Sequence, residues 1–452
     1  MSTSAAQERP PAYGIFPFAM LILCLAYYFV FYVVSGSVQH PGLWPQPAPH
    51  EIYGYTLTPI GLTPYALLGA GVGALIAGYF LGIRVCRAGW LRFTFVNPLP
   101  IHPTISRTLK NDVLYLICSF NVAAVALFYF LGLHQVPVLY QLSHSALFFS
   151  LGVVRHGQIT GSASNAARWI GYGALFFLFF ALAPLRQGTL LFLSILFLGI
   201  LEIMHGRYRW FAWGILLALV LSVYPFKRIA LPLETLKICW PQSQIEIPLS
   251  SRNFLRAIEK CKTNSDRIDL IVASAAWGRD QVLRRISTIR LLDRVVTETP
   301  ARVPFFDGET LRPLLYTPIP RFVWPGKPRE DIGNRIGHLY RILSPGDSTT
   351  SINLPWVIEF YINFGAKGVI LGLGLTGLAL GGLAWLGTAG TRSAILPIFT
   401  IGILFPLSYQ ESNISLMVGN ALHGAAGASG LIALAWIARR YREKTLGDAP
   451  AP

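Results

Sequence analysis

Apolar blocks long enough to cross a bilayer recur along this chain, and they limit its fold more than any other feature. About 20 consecutive apolar residues cover the roughly 30 Å of hydrocarbon in a membrane. Blocks of about that length lie at 15–35, 62–83, 112–133, 168–185, 188–204, 210–226, 366–386, 394–409 and 415–438. A weaker one at 138–154 contains Gln141, Ser143 and His144, so an interfacial or re-entrant helix competes there with a full span. Composition points the same way, with 53% hydrophobic and only 13% charged residues, against about 25% charged in soluble domains. The first block, Ile15 to Val34, lacks a small-residue cleavage site and reads as a span rather than a signal peptide. The expected fold is an all-α polytopic membrane protein of about ten transmembrane helices.

Loop charges orient these spans, because Lys and Arg favour the cytoplasmic side. Loop 84–110 carries Arg84, Arg87, Arg92, Arg107 and Lys110 and no acid, whereas 37–61 carries Glu51 and no Lys or Arg. The C-terminal Arg439, Arg440, Arg442 and Lys444 place that end inside as well. Counting from both ends puts residues 229–365 outside, provided 138–154 crosses; Arg186, Lys227 and Arg228 then run against the rule. The expected organisation is an N-terminal bundle of about seven spans (1–228), a large extracytoplasmic loop (229–365), three closing spans (366–438) and a cytoplasmic tail (439–452). Both termini are thus expected inside.

Pairs of glycines four residues apart, Gly69/Gly73, Gly78/Gly82, Gly368/Gly372 and Gly377/Gly381, suit close helix contact in lipid. Cys24, Cys86 and Cys118 lie in or beside apolar segments and read as packing residues. Cys239 and Cys261 share the large loop and can pair if it faces an oxidising compartment. In the same loop, Val282, Ile286, Ile289, Leu292 and Val296 recur at helical spacing, so the sequence predicts a helix over 278–297. Arg279, Arg284, Arg285, Arg290 and Arg294 decorate it. They suit a helix resting on headgroups or a basic wall facing an anionic substrate. Beyond Pro300 prolines and aromatics dominate and little regular structure is expected.

The chain has no GxxxxGK[ST] loop, no HExxH pair and no CxxC pairs, so nothing points to ATP hydrolysis, zinc or a nicotinamide cofactor. The net charge of +16 would suggest nucleic acid in a soluble protein. Here it suits topology and anionic lipid or phosphate, and no nucleic-acid partner is expected.

The chemistry concentrates between Pro318 and Gly365. PRFVWPGKP (320–328) is followed by Arg329, Arg335, His338 and Arg341, then by STTSINLPW (348–356) and EFYINFG (359–365). Cations can hold phosphate oxygens, and aromatic faces suit sugar rings or lipid interfaces. Hydroxyls and amides can meet sugar hydroxyls. Such a set suits a lipid-linked sugar phosphate at the outer membrane surface.

Over roughly 318–370 these motifs resemble the large-loop signature of the O-antigen polymerases, the oligosaccharide repeat unit polymerases (Wzy-like). Elsewhere the likeness is one of general pattern. The resemblance implies a fold similar to the helical, lipid-sugar-using (GT-C-like) glycosyltransferases, and a bacterial inner-membrane location. It also implies transfer of undecaprenyl-diphosphate-linked repeat units of O-antigen or exopolysaccharide on the outer face, with membrane lipid, a chain-length regulator and a flippase as partners. No cofactor is implied. A sugar hydroxyl attacks the anomeric carbon and undecaprenyl diphosphate leaves, so fixed cations lower the barrier. Arg321, Lys327, Arg329, Arg335 and Arg341 form the pool of cations, with Arg321 and Arg335 placed as catalytic. His338 and Glu359 are the candidate bases, His338 first because imidazole titrates near pH 6.5, roughly. Trp324, Thr349, Thr350, Asn353, Trp356, Tyr361 and Asn363, with Lys327, Arg329 and Arg341, are expected to bind substrate.

Plainer roles compete with these. Arg321 and Lys327 also suit headgroup anchors, His338 a solvated side chain, and Glu359 a helix cap or a partner of Lys367. Pro320, Pro325 and Pro328 shape the backbone, and Gly365 allows the turn into the following span. Glu411 and Asn413 lie in a short outer loop that suits solvent or the same cavity. A ligase or other membrane glycosyltransferase shares the layout. A lipid-linked oligosaccharide transporter would show paired halves, and no internal repeat is visible. A structural partner in an export complex would tolerate loss of Arg321, Arg335 and His338.

Overall fold

The computed structural model describes residues 16–34, 60–88, 229–231, 233–241, 247–249, 251–286, 288–319, 323–328, 331–388, 407, 410–422 and 425. The expected spans at 112–133, 138–154, 168–185, 188–204, 210–226 and 394–409 lie outside these residues, as do most of 415–438, the C-terminal tail and Cys118. The described residues are mainly helical, and two helices are long and apolar enough to cross a membrane, Leu62–Cys86 and Trp356–Trp385. A small ribbon departs from an all-α description: Ile229–Leu231 pairs antiparallel with Ile247–Leu249. The chain divides into two compact units, Met1–Tyr28 with Pro47–Leu175 and Leu291–Pro452, and Phe29–Gln46 with Phe176–Arg290. The loop expected at 229–365 is therefore shared between them.

In the first unit the Leu62–Arg87 helix packs on the Trp356–Thr388 helix through glycine. A Cβ on Gly78 would lie 2.0 Å from the Gly374 carbonyl oxygen, and one on Gly82 2.2 Å from that of Leu378. Reciprocally, Gly377 faces the Leu75 carbonyl at 2.1 Å and Gly381 that of Tyr79 at 2.0 Å. Backbone thus meets backbone, the contact small residues permit in lipid. The contacts advance together along both helices, from Gly71 against Val369 to Gly82 against Leu378, so the two run parallel. Gly69 and Gly73 meet nothing within 4 Å.

Gly368 and Gly372 serve their own chain. A Cβ on Gly372 would sit 2.5 Å from the Phe360 ring, and one on Gly368 2.5 Å from the Phe360 carbonyl oxygen. In a straight helix Phe360 and Gly372 would stand about 18 Å apart. The chain instead turns back at Gly365, whose φ of 65° and ψ of −154° break the helix in a region open essentially to glycine alone. Residues 356–364 therefore fold against the start of 366–388. The break falls where the span was expected to begin. The residues before it, however, are helix rather than loop, because Trp356, Val357, Ile358 and Ile362 bury an apolar face.

The second unit has its own small core of Leu236, Ala257 and Leu270, with Phe254 and Ile258 packed on it. A disulfide joins Cys239 to Cys261 beside that core. The Asn264–Ile286 helix starts at a reciprocal cap: Asp266 N–H donates to Thr263 Oγ1 at 3.1 Å, and Thr263 N–H to Asp266 Oδ2 at 3.0 Å. The helix expected over 278–297 is two, Asn264–Ile286 and Ile289–Glu298. The second begins just after Thr288, which sends both its N–H and its hydroxyl to the Phe31 carbonyl, each at 3.2 Å. Hydroxyl residues favour such helix ends.

Two outcomes test this fold. Gly365→Ala forces a Cβ into that backbone region and to 3.2 Å from the Phe305 ring, so it destabilises by about 1–3 kcal/mol. Thermal unfolding of the purified protein reads this, and an unchanged midpoint removes the fold-back. Maleimide reacts with Cys239 and Cys261 in the denatured chain only after reduction; equal labelling without reductant removes the pairing.

Candidate functional site

A buried carboxylate organises the end of the Trp356–Thr388 helix. Glu359 is 0% exposed. Its Oε1 accepts the Thr310 hydroxyl at 3.0 Å and its Oε2 the Ile414 backbone N–H at 2.7 Å. One turn on, Asn363 donates through Nδ2 to Thr310 Oγ1 and to the Glu359 carbonyl, both at 2.7 Å. Its Oδ1 accepts the Gly308 N–H at 2.9 Å. That N–H is aimed by a turn at Asp307–Gly308, where both residues have positive φ, 48° and 85°, as the Asp-Gly pair favours. Gln410 closes the other side. Its carbonyl accepts the Tyr27 hydroxyl at 3.2 Å and the Trp356 N–H at 3.3 Å, while its Oε1 accepts the Tyr28 hydroxyl. Trp356 Nε1 and Gln410 Nε2 are buried donors with no acceptor among the described residues.

The polar loop is built on this base. Glu309, next to Thr310, binds Arg335 Nη1 at 2.8 Å, and the Arg335 guanidinium lies 5.3 Å from the Phe306 ring centroid. The hydrogen bond from Arg335 holds the Glu309 carboxyl below its usual range. Lys327 Nζ donates to the Thr317 and Ile319 carbonyls at 3.1 and 3.0 Å and lies over Tyr316. Trp324 meets Tyr316 edge-on and is 41% exposed.

Arg335 and His338 belong to the Ile332–Leu339 helix, which sequence reasoning did not resolve. Gly333 and Gly337 give it a bare face: a Cβ on Gly333 would meet Ser351 Oγ at 2.2 Å, and one on Gly337 the Leu343 side chain at 2.5 Å. Residues 343–352 therefore lie on the helix itself. His338 Nε2 is 2.9 Å from the Asp347 carbonyl oxygen. A carbonyl only accepts, so Nε2 carries the proton. Asp347 turns the chain by accepting the Thr349 and Thr350 N–H groups at 3.1 and 2.9 Å. Bonds from the Thr350 side chain, then from those N–H groups, lower its carboxyl to about 2. Asn334 Nδ2 ties the same turn through the Asp347 and Thr350 carbonyls, at 3.1 and 2.7 Å.

The helix ends in a Schellman cap. Ile342 N–H donates to the Gly337 carbonyl at 2.7 Å and Arg341 N–H to that of His338 at 3.0 Å. Glycine is the usual residue at the left-handed position of such a cap, yet here it is Arg341, with φ 54°, at a cost of about 1 kcal/mol. Nearby, Glu298 bridges Arg294, at 2.6 Å from Nε, and Arg302. Arg294 Nε also donates to the Tyr340 carbonyl at 3.3 Å, and Arg302 Nη2 to that of Leu339 at 2.9 Å. Lost hydration and then the charges of Arg341 and Arg294 hold the Arg302 guanidinium below its usual range. The Tyr340 hydroxyl meets Thr299 Oγ1 at 2.5 Å, and burial pushes that phenol up.

The residues singled out from sequence thus separate. Arg321 and Arg329 lie outside the described residues. Lys327, Arg335, His338, Thr349 and Thr350 are fixed within the loop, and Arg341 is exposed. Asn353 is partly buried, and Tyr361 is half-buried with its hydroxyl 3.4 Å from the Thr299 carbonyl. Trp356, Glu359 and Asn363 are buried in the core. Each Glu359 oxygen accepts one protein donor and the side chain is fully buried, an arrangement suited to joining segments. Thr310, Gln410, Arg302 and Asp347 escaped sequence reasoning. Only Asp347, beginning an Asp-Ser-Thr-Thr run, carried a local turn signal. Among the described residues no group of His, Cys, Asp and Glu side chains could hold a metal.

A family model described as "Domain of unknown function (DUF8712)" matches residues 104–385, and the chain belongs to that family. No curated protein and no solved structure matches it.

Glu359→Ala leaves the Thr310 hydroxyl and Ile414 N–H buried without their acceptor, each costing about 1–3 kcal/mol. A melting temperature equal to wild type would remove the carboxylate from its joining role. Asp347 has a folded pKa of about 2, below an unfolded value of about 3.9. Its stabilisation is present above pH ~4 and is lost as pH falls toward 2. Asp347→Asn therefore flattens the pH dependence of unfolding in that window, and superimposable profiles overturn the assignment.

Proposed function

We propose that this protein is a polymerase of undecaprenyl-diphosphate-linked oligosaccharide repeat units, a glycosyltransferase of about ten spans in the bacterial inner membrane. Its fold would resemble the GT-C-like enzymes, and its substrate would be O-antigen or exopolysaccharide units. The observation that carries the reading is where the loop is anchored. Arg335 and His338 share one short helix, and Arg335 is held by Glu309, whose neighbour Thr310 bonds Glu359 in the segment folded back against the start of a membrane-length helix. The polar loop is thereby fastened to the end of that helix, the level at which a lipid-linked sugar reaches the surface.

An outer-face site is supported by two further features. The charge pattern gives spans 62–83 and 366–386 the same outside-to-inside course, and the helices there run parallel. The Cys239–Cys261 disulfide suits an oxidising compartment.

In the proposed reaction an acceptor sugar hydroxyl attacks the anomeric carbon of the growing chain. The new glycosidic C–O bond forms as the bond from carbon to the diphosphate oxygen breaks. With Nε2–H engaged by Asp347, the His338 Nδ1 lone pair takes the hydroxyl proton. Arginine donors around the leaving diphosphate stabilise its growing charge. Glu359 serves as the scaffold that holds this arrangement. A chain-length regulator and a flippase are the proposed protein partners.

Complementation of a polymer-deficient strain tests this. Arg335→Ala and His338→Ala reach the membrane at wild-type levels but shorten or abolish polymer, with rates down roughly 10²–10³-fold. Lipid-linked repeat units given to the purified protein yield ladders of multiples. Normal polymer from both variants removes the assigned roles, and a single transfer to a non-repeat acceptor replaces polymerase with ligase.

A further inference from the structure

We infer that Arg294, Arg302 and Arg341 form a binding site for a phosphate group presented at the membrane surface. Arg294 and Arg302 both pair with Glu298 and donate to the Tyr340 and Leu339 carbonyls, so they lie against the turn that carries Arg341. The Arg341 guanidinium has no acceptor among the described residues. Two positive charges are left over, the complement of a phosphate ester or diphosphate.

The donors are as unbalanced as the charge. Arg294 engages protein through Nε and Arg302 through Nη2. Each guanidinium carries five N–H groups in a fixed fork, so both retain donors for oxygens outside the chain. Their side chains are 28% and 35% exposed, and Arg341 is exposed. Planar forks of this kind match phosphate better than a point charge does.

Arg341 supplies an independent argument. The left-handed cap position favours glycine on local grounds, and nothing in the cap uses an arginine side chain. Backbone strain of this sort gathers at ligand clamps.

The height of the site selects the ligand. Thr299, between Arg294 and Arg302, accepts the Tyr361 hydroxyl, and Tyr361 lies in the 356–364 segment folded beside the start of the membrane-length helix. On the proposed outer-face topology, that is the depth of lipid phosphates. Two sources present the same chemistry there: a phospholipid headgroup and the diphosphate of a polyprenyl carrier. The site does not depend on the proposed reaction, although a polyprenyl source would join the two.

Binding of farnesyl diphosphate and of short-chain phosphatidylglycerol to the full-length protein in neutral detergent tests the inference. Wild type binds at least one probe, and Arg341→Gly weakens that binding tenfold or more. Because glycine suits φ 54°, the same variant melts at or above the wild-type temperature, which separates lost binding from lost fold. Farnesyl diphosphate binding tenfold tighter than phosphatidylglycerol assigns the site to the carrier; the reverse assigns it to the bilayer. Failure of wild type to bind either probe, or equal binding by Arg341→Gly, overturns the site and leaves the transferase reading standing on its own polymer assay.

Discussion

A carboxylate taken out of water costs several kcal/mol unless donors replace its hydration. Glu359 meets that demand with the Thr310 hydroxyl and the Ile414 N–H, groups distant in the chain. Because neither donor comes from its own helix, satisfying the charge forces three segments together. Asn363 repeats the arrangement one turn on, reaching Gly308 and Thr310. The 3₁₀ turn Glu309–Leu315 is thereby fixed against the 356–364 segment, and Glu309 is presented to Arg335 as a consequence. Arg335 thus takes its position from Glu309, which the Thr310–Glu359 bond sets in place.

Lipid supplies no hydrophobic force between spans, so shape must do the work. Gly78, Gly82, Gly377 and Gly381 bring two parallel backbones into contact. Gly365, Gly368 and Gly372 perform a different task. The first reverses the chain, and the other two leave room for Phe360 as it returns. The reversal places Glu359 and Asn363 beside a span rather than in a solvated loop. Similar glycine spacing thus encodes a helix–helix contact in one place and a helical fold-back in another.

That distinction marks how far the sequence could be read. Long apolar runs reported the two membrane-length helices, since burying 18 or more apolar residues leaves few alternatives. The four-residue spacing at Gly78 and Gly377 reported close packing, whereas the two loop cysteines left their pairing open until the fold brought them together. The helical nature of 356–364 was not legible, because its polar residues Glu359 and Asn363 imitate a loop and their partners lie far away in sequence. Arg341 was read as one cation among several. Its left-handed backbone depends on the cap made by Gly337 and His338, and Arg is a poor sequence signal for such a position. Arg302 escaped notice because its role depends on the fold around Glu298.

The positive side chains of the loop can be ordered by what they already hold. Lys327 is spent on the Thr317 and Ile319 carbonyls, and Arg335 on Glu309. Removing either disturbs local structure as well as charge. Arg341 has no such commitment among the described residues, and it follows His338 by a single turn in the Schellman cap, where its N–H meets the His338 carbonyl. One turn thus carries both an imidazole held by Asp347 and an exposed arginine. For a transfer that must accept a proton and stabilise a departing phosphate, such a turn offers separate groups for the two tasks on one rigid support.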